Sequence, residues 1–162
     1  MLFRSLVPPV ADAHAALRAA VVEVLRAAHL ALTPGARWSE IVGACGAAAH
    51  RSRIRLIEPY AGHGVGRSLH EPPRAPLLNT CDASTLAPHE DFTLRPGMVL
   101  TIEPIGVRGS PETVTAPDGW TVLSKHRHVG CHEERMVAIV RGGSRALTAS
   151  LDHHAASLEM AD

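Results

Sequence analysis

Cysteine is scarce. Cys45, Cys81 and Cys131 are the whole complement, widely spaced, odd in number and without a C-x-x-C pair. That excludes a disulfide framework and fits reduced thiols in an intracellular protein. Aromatic residues make up 3% of the 162, so a core must be aliphatic and rich in alanine. Net charge of either sign is absent, with 16 Lys+Arg against 16 Asp+Glu. This removes the electrostatic basis for a nucleic-acid or anionic-membrane partner. Lysine is nearly missing too, Lys125 being the only one, which reads as coding bias rather than function. Long hydrophobic runs are lacking: none approaches a membrane span. The apolar stretch at the N-terminus is too short for a signal h-region and is broken by Pro8 and Pro9. A cytoplasmic protein is expected.

What the chain does contain is a core's worth of apolar residues, 46%, against 20% charged, which excludes wholesale disorder. Its length is that of one domain, able to bury roughly two thirds of its unfolded surface. Histidine is abundant, with 11 residues, and histidine is both a common metal ligand and a common acid/base.

Residues 11–32 carry Leu17, Val21, Val24, Leu25, Ala28 and Leu32 at helical spacing, with Arg18 and Glu23 off that face. Pro34-Gly35 ends this helix. A second helix is expected from about Ser39, a plausible N-cap, to Arg51; Gly43 and Gly46 weaken it but permit close packing on a sheet. Beyond residue 53 short apolar runs alternate with turn residues. The expected strands are 54–57, 99–102 continuing to 107, 120–123, 136–140 and a last one at 146–148. Residues 71–95 hold Pro72, Pro73, Pro76 and Pro88 and read as a long ordered loop. Helices followed by antiparallel strands predict an α+β fold.

Four constellations carry chemistry. Gly62-His63-Gly64-Val65-Gly66 sets a histidine in an open backbone that other groups can approach. No G-x-x-x-x-G-K-[ST] accompanies it, which disfavours a phosphate loop; a simple turn is the plain alternative. In His70-Glu71-Pro72-Pro73 the prolines restrict the segment that presents His70, although a surface loop reads the same way. Glu103 interrupts the apolar run Met98–Ile105. A buried carboxylate is costly unless it is paired, protonated or metal-bound, and the alternative is a strand with Glu103 on its wet face. The segment 125–137 packs His126, His128, Cys131, His132, Glu133 and Glu134 together. It is neither the H-E-x-x-H signature nor a structural-zinc spacing. Glu134, just before the apolar run 136–140, is the member expected to point into a core.

Taken together, residues from about 10 to 148 resemble the C-terminal half of the methionine aminopeptidases, which have the pita-bread fold. The resemblance rests on Pro34-Gly35 between two helices, Tyr60-Ala61-Gly62-His63-Gly64-Val65-Gly66-Arg67 and His70-Glu71-Pro72. It continues in Leu94-Arg95-Pro96-Gly97-Met98, Thr101-Ile102-Glu103-Pro104, Asp118-Gly119-Trp120-Thr121-Val122 and Glu134. The family's register from Trp120 selects Glu134 over Glu133. The resemblance implies a half pita-bread fold, two helices on a curved antiparallel sheet spanning 11–148, with an extension at 1–10 and a tail at 149–162. It implies a divalent metal ion held by His63, Glu103 and Glu134, with Fe, Mn, Co and Zn undistinguished. His70 falls at the position of a histidine that contacts substrate, and Tyr60 and Trp120 fall at the pocket.

The sequence also departs from the family. Its two aspartate ligands belong to an N-terminal half, and Asp12 is the only acidic residue before Glu23. Arg135-Met136 replace the usual His-Thr, and His132 stands where a glutamine is common. Three expectations follow: a mononuclear metalloenzyme acting on a small amide or amino-acid-derived substrate, a catalytically dead interaction module, or one half of an assembly. The last is a homodimer, or a heterodimer with a complementary half that supplies the aspartates. No role is assigned to His126, His128, His132 or Cys131.

Overall fold

The computed structural model describes residues 11–80, 82 and 85–148. The extension at 1–10 and the tail at 149–162 lie outside them. Two helices come first, α1 (Asp12–Ala31) and α2 (Trp38–Arg51). The apolar stripe read from the sequence is the buried face of α1: Leu17, Val21, Val24, Leu25 and Ala28 are all buried. Ser39 is not the N-cap of α2. Arg37 occupies that place, and the capping oxygens arrive from Glu40, which accepts from the Arg37 amide (2.9 Å), and from Asp91, which accepts from the Ser39 amide (2.9 Å). The cap therefore comes from a segment distant in sequence. Gly46 packs tightly, but on the backbone carbonyl of Thr80 rather than on a sheet: a Cβ there would overlap that carbonyl.

Ten short strands follow: β1 (Arg55–Leu56), β2 (Ala61–Gly64), β3 (Glu71–Pro76), β4 (Val99–Ile102), β5 (Ile105–Val107), β6 (Thr113–Thr115), β7 (Val122–Ser124), β8 (Gly130–His132), β9 (Arg135–Val140) and β10 (Gly143–Ala146). They form a five-stranded sheet in the order β10-β9-β4-β2-β3, a three-stranded sheet β1-β5-β8 and the hairpin β6-β7, all antiparallel. The segment expected as a proline-rich loop thus starts with a strand. Three prolines are compatible with β3 because it is an edge, where missing amide donors cost no ladder bond. The glycine-rich segment around His63 is likewise strand β2, with a bulge between His63 and Gly64.

The run expected as one strand over 99–107 is two. β4 pairs with β9 up to Ile102↔Arg135, and β5 pairs with β8 from Ile105↔His132. Both members of this antiparallel pair therefore pass from one sheet to the other at facing points, Glu103-Pro104 and Glu133-Glu134. Proline at 104 has no amide to offer, and the crossing is bridged by the Glu133 amide donating to the Pro104 carbonyl at 3.3 Å. α1 packs against α2 and across β5 and β8. The core lies between helices and sheets, with Trp38, Ile41, Leu32, Leu56, Leu100 and Ile139 fully buried. Trp38 stacks on Phe92 at 5.2 Å and donates its indole N–H to the Pro76 carbonyl at 2.8 Å.

Candidate metal centre

The seam between the sheets gathers the polar groups. Glu103 leaves the end of β4 with its carboxylate between two imidazoles. Oε1 is 3.7 Å from His63 Nε2 and Oε2 is 3.5 Å from His132 Nε2. Donor atoms of Glu103, His132 and Glu134 all lie within 4.8 Å of one another, a grouping able to hold a metal ion, so that His132 and not the expected His63 completes the set with the two glutamates. The side chains of His63, Glu103 and His132 are 18%, 16% and 15% exposed, so the cluster is shielded yet open to a ligand.

Thr101 organises this arrangement from within the sheet. Its buried hydroxyl accepts the His63 amide at 2.9 Å and donates to Glu103 Oε1 at 3.0 Å, tying β2 to β4 through the site. The bulge at His63/Gly64 re-aims the His63 ring. His63 Nδ1 contacts the Gly64 carbonyl at 2.9 Å. A carbonyl only accepts, so Nδ1 carries the proton and Nε2 is the atom presented to Glu103. Burial pushes the Glu103 carboxyl up, but His132, Thr101 and His63 together more than offset it and hold the group below its ordinary value, in the anionic form.

The other expected residues are distributed as follows. His70 is exposed, its ring 4.3 Å from that of His63 and tilted by 54°. It stands at the solvent side of the cluster, where a bound molecule would meet it. Tyr60 is 38% exposed and Trp120 86% exposed, the latter on the β6-β7 hairpin. Neither is enclosed by the described residues, so a pocket wall built from them needs a further surface opposite. Of the two adjacent glutamates, Glu133 and not Glu134 is the buried one, at 3% exposure. Its charge is met by Arg18 of α1 at 2.6 Å and by Arg135 at 3.5 Å. Glu134, half-buried, turns to the Glu103–His132 side. The expectation of an inward Glu134 rested on its place just before the apolar run 136–140; the alternation that buries Val137 and Ile139, carried back in steps of two, reaches Glu133 instead.

His126 is engaged elsewhere, 2.7 Å from Glu112 on the exposed hairpin. Cys131 lies on β8 opposite Gly106, and burial pushes its thiol up to about 11, which keeps it protonated and a poor ligand. Thr101 and Arg18 were assigned nothing from sequence. The one signal for Thr101 was a hydroxyl two residues before Glu103, on the same strand face.

The donor set suits a divalent cation. Two carboxylates and neutral imidazole nitrogens are the ligand types such ions take, and His132 Nε2 is buried with no hydrogen-bond partner among the described residues. Two carboxylates also balance one divalent charge, because Glu133 is already neutralised by Arg18.

Residues 4–141 match the sequence profile of Metallopeptidase family M24. The methionine aminopeptidase of Treponema pallidum is 37% identical over 126 residues, covering 78% of this chain and 47% of that protein. That of Aquifex aeolicus is 39% identical over 115 residues, covering 71% and 43%. The crystal structure of methionine aminopeptidase from Thermotoga maritima superposes with a TM-score of 0.78 at 30% identity, over 89% of this chain and 55% of that one. The chain thus spans about half the length of the relatives it matches.

Proposed function

The chain belongs to metallopeptidase family M24, and we propose that it is a metal-dependent hydrolase of the cytoplasm that acts on a small amide or amino-acid-derived substrate through one divalent cation. His63, Glu103 and Glu134 would hold that ion. The observation that carries this reading is the convergence of donors on Glu103, whose carboxylate is kept anionic and aimed by Thr101. Two carboxylates for one divalent cation support a mononuclear state among the described residues.

A bound cation of this kind supplies Lewis-acid polarisation of a carbonyl and activation of water. The protein's own part is positional. Thr101 fixes Glu103 and the backbone of His63 in one hydrogen-bonded unit. His70, its ring tilted against that of His63, is placed to donate a proton or hydrogen bond to a substrate carbonyl as negative charge develops on it. The shielding of the cluster strengthens each of these interactions relative to bulk water.

The test is hydrolysis of a panel of aminoacyl amides by the purified chain in the presence of Mn(II) or Co(II). Turnover is expected, reduced on the order of 100-fold in Glu103→Ala. His70→Ala should lower kcat by a comparable factor with metal affinity intact. Metal-free protein after incubation with excess cation, or activity indifferent to Glu103→Ala, would overturn the reading.

A further inference from the structure

His132 sits on β8 opposite Ile105, one step past the seam, with its ring aimed at Glu103 from the side opposite His63. We propose that His132 is a fourth metal ligand, so that the site is a two-histidine, two-glutamate centre formed by His63, Glu103, His132 and Glu134. This rests on the reading of the cluster as a metal centre and goes beyond it by naming a further ligand from the same chain.

Three observations carry it. His132 Nε2 is buried and has no hydrogen-bond partner among the described residues. A buried polar atom left unmatched is destabilising, and a bound cation would satisfy it. Next, the distance to Glu103 Oε2 is 3.5 Å. That is too long for the charge-assisted hydrogen bond, near 2.7–2.9 Å, that an imidazolium and a carboxylate would make. It is a natural separation for two donors sharing a small cation. Finally, His132 belongs with Glu103 and Glu134 to the set whose ligand atoms fall within 4.8 Å of one another, whereas His63, outside that set, approaches only the other oxygen of the Glu103 carboxylate, at 3.7 Å. Imidazole adds a donor without adding charge. The fourth ligand therefore leaves the balance of two carboxylates against one divalent cation undisturbed.

Co(II) titration followed by visible absorption tests this without reference to turnover. Wild type should bind one Co(II) per chain. His132→Gln, checked for retained helix content by circular dichroism, should bind on the order of 10- to 100-fold more weakly, with shifted ligand-field bands because a nitrogen donor is gone. A His132→Gln protein with wild-type affinity and spectrum overturns the fourth ligand while leaving the three-residue centre standing. A wild type that takes up no Co(II) overturns both. Should the variant fail to fold, long-range 1H–15N spectra of wild type with added Zn(II) decide the matter. Both His63 and His132 Nε2 resonances should move, and movement of His63 alone rejects the inference.

Discussion

Glu133 holds a negative charge at 3% exposure, and the nearest cation, Arg18, comes from a helix more than a hundred residues away in sequence. A buried charge stripped of one partner is costly even where a second, here Arg135 at 3.5 Å, remains. Arg18→Ala should therefore lose on the order of 2 kcal/mol of stability in urea unfolding, and adding Glu133→Gln should restore part of it. A single variant within about 0.5 kcal/mol of wild type would refute this. At this scale the sequence was legible where burial alone decides. Glu103, in an apolar run, was read as a charge in need of a partner, and the Thr101 hydroxyl donates to it at 3.0 Å. Glu134 was expected inward because it adjoins the apolar run 136–140, whereas the period of two set by Val137 and Ile139 points to Glu133, the one the structure buries.

Among the elements, the helices could be read because six apolar residues recur at a period of 3.6, and the structure buries those residues. β3 could not, since its prolines argue against a strand everywhere except at an edge, and edge position is a tertiary fact. β2 was hidden by its glycines for a related reason. Gly62 has no side chain because the Thr101 carbonyl of β4 lies where a Cβ would be. Gly62→Ala should cost about 1–3 kcal/mol by forcing β2 from β4, and should weaken metal binding by dragging His63 from Thr101. Gly142→Ala, with open space around it, is the control expected within about 0.5 kcal/mol. Thermal unfolding of the pair separates the two; equal melting temperatures would reject the close-approach argument.

The β6-β7 hairpin offers a pH test. The Thr121 hydroxyl above all, with the Trp120 and Thr121 amides, lowers the Asp118 carboxyl to about 2. The group is lowered on folding, so whatever it contributes to the turn is present above the ordinary carboxylate range and is lost as pH falls through about 2. A 13C carboxyl titration should place its midpoint there, and Thr121→Val should raise it. A native midpoint near 4 contradicts the turn geometry.

For the whole molecule, the five-stranded sheet ends at β10 on one side and at proline-rich β3 on the other. Prolines blunt β3 as a template, leaving β10 as the edge open to pairing among the described residues. Beside it runs an apolar cleft between α1 and the sheet, lined by Leu25, Leu32, Ile102 and Val137. Edge and cleft together form a surface on which a second copy of the chain is expected to pair. Light scattering of the purified chain should give twice the monomer mass. A strictly monomeric particle across the micromolar range would count against association. The fold class and the order of motifs were legible from sequence at this scale because they are local. Assembly was only inferable, since a surface that seeks a partner and one that does not differ in neighbours rather than in residues.

The seam at Glu103-Pro104 and Glu133-Glu134 has a consequence for how such a protein changes over time. A side chain inside a ladder is constrained by the pleat, by its cross-strand neighbour and by register, so its replacement is tested against the fold before it is tested against any chemistry. At a point where two paired strands leave one sheet for another, those constraints lapse together. Side chains there, at 103 and 134, can be exchanged while the strands on either side keep their pairing. The molecule can thus revise its ligand set on a scaffold that does not have to be revised with it.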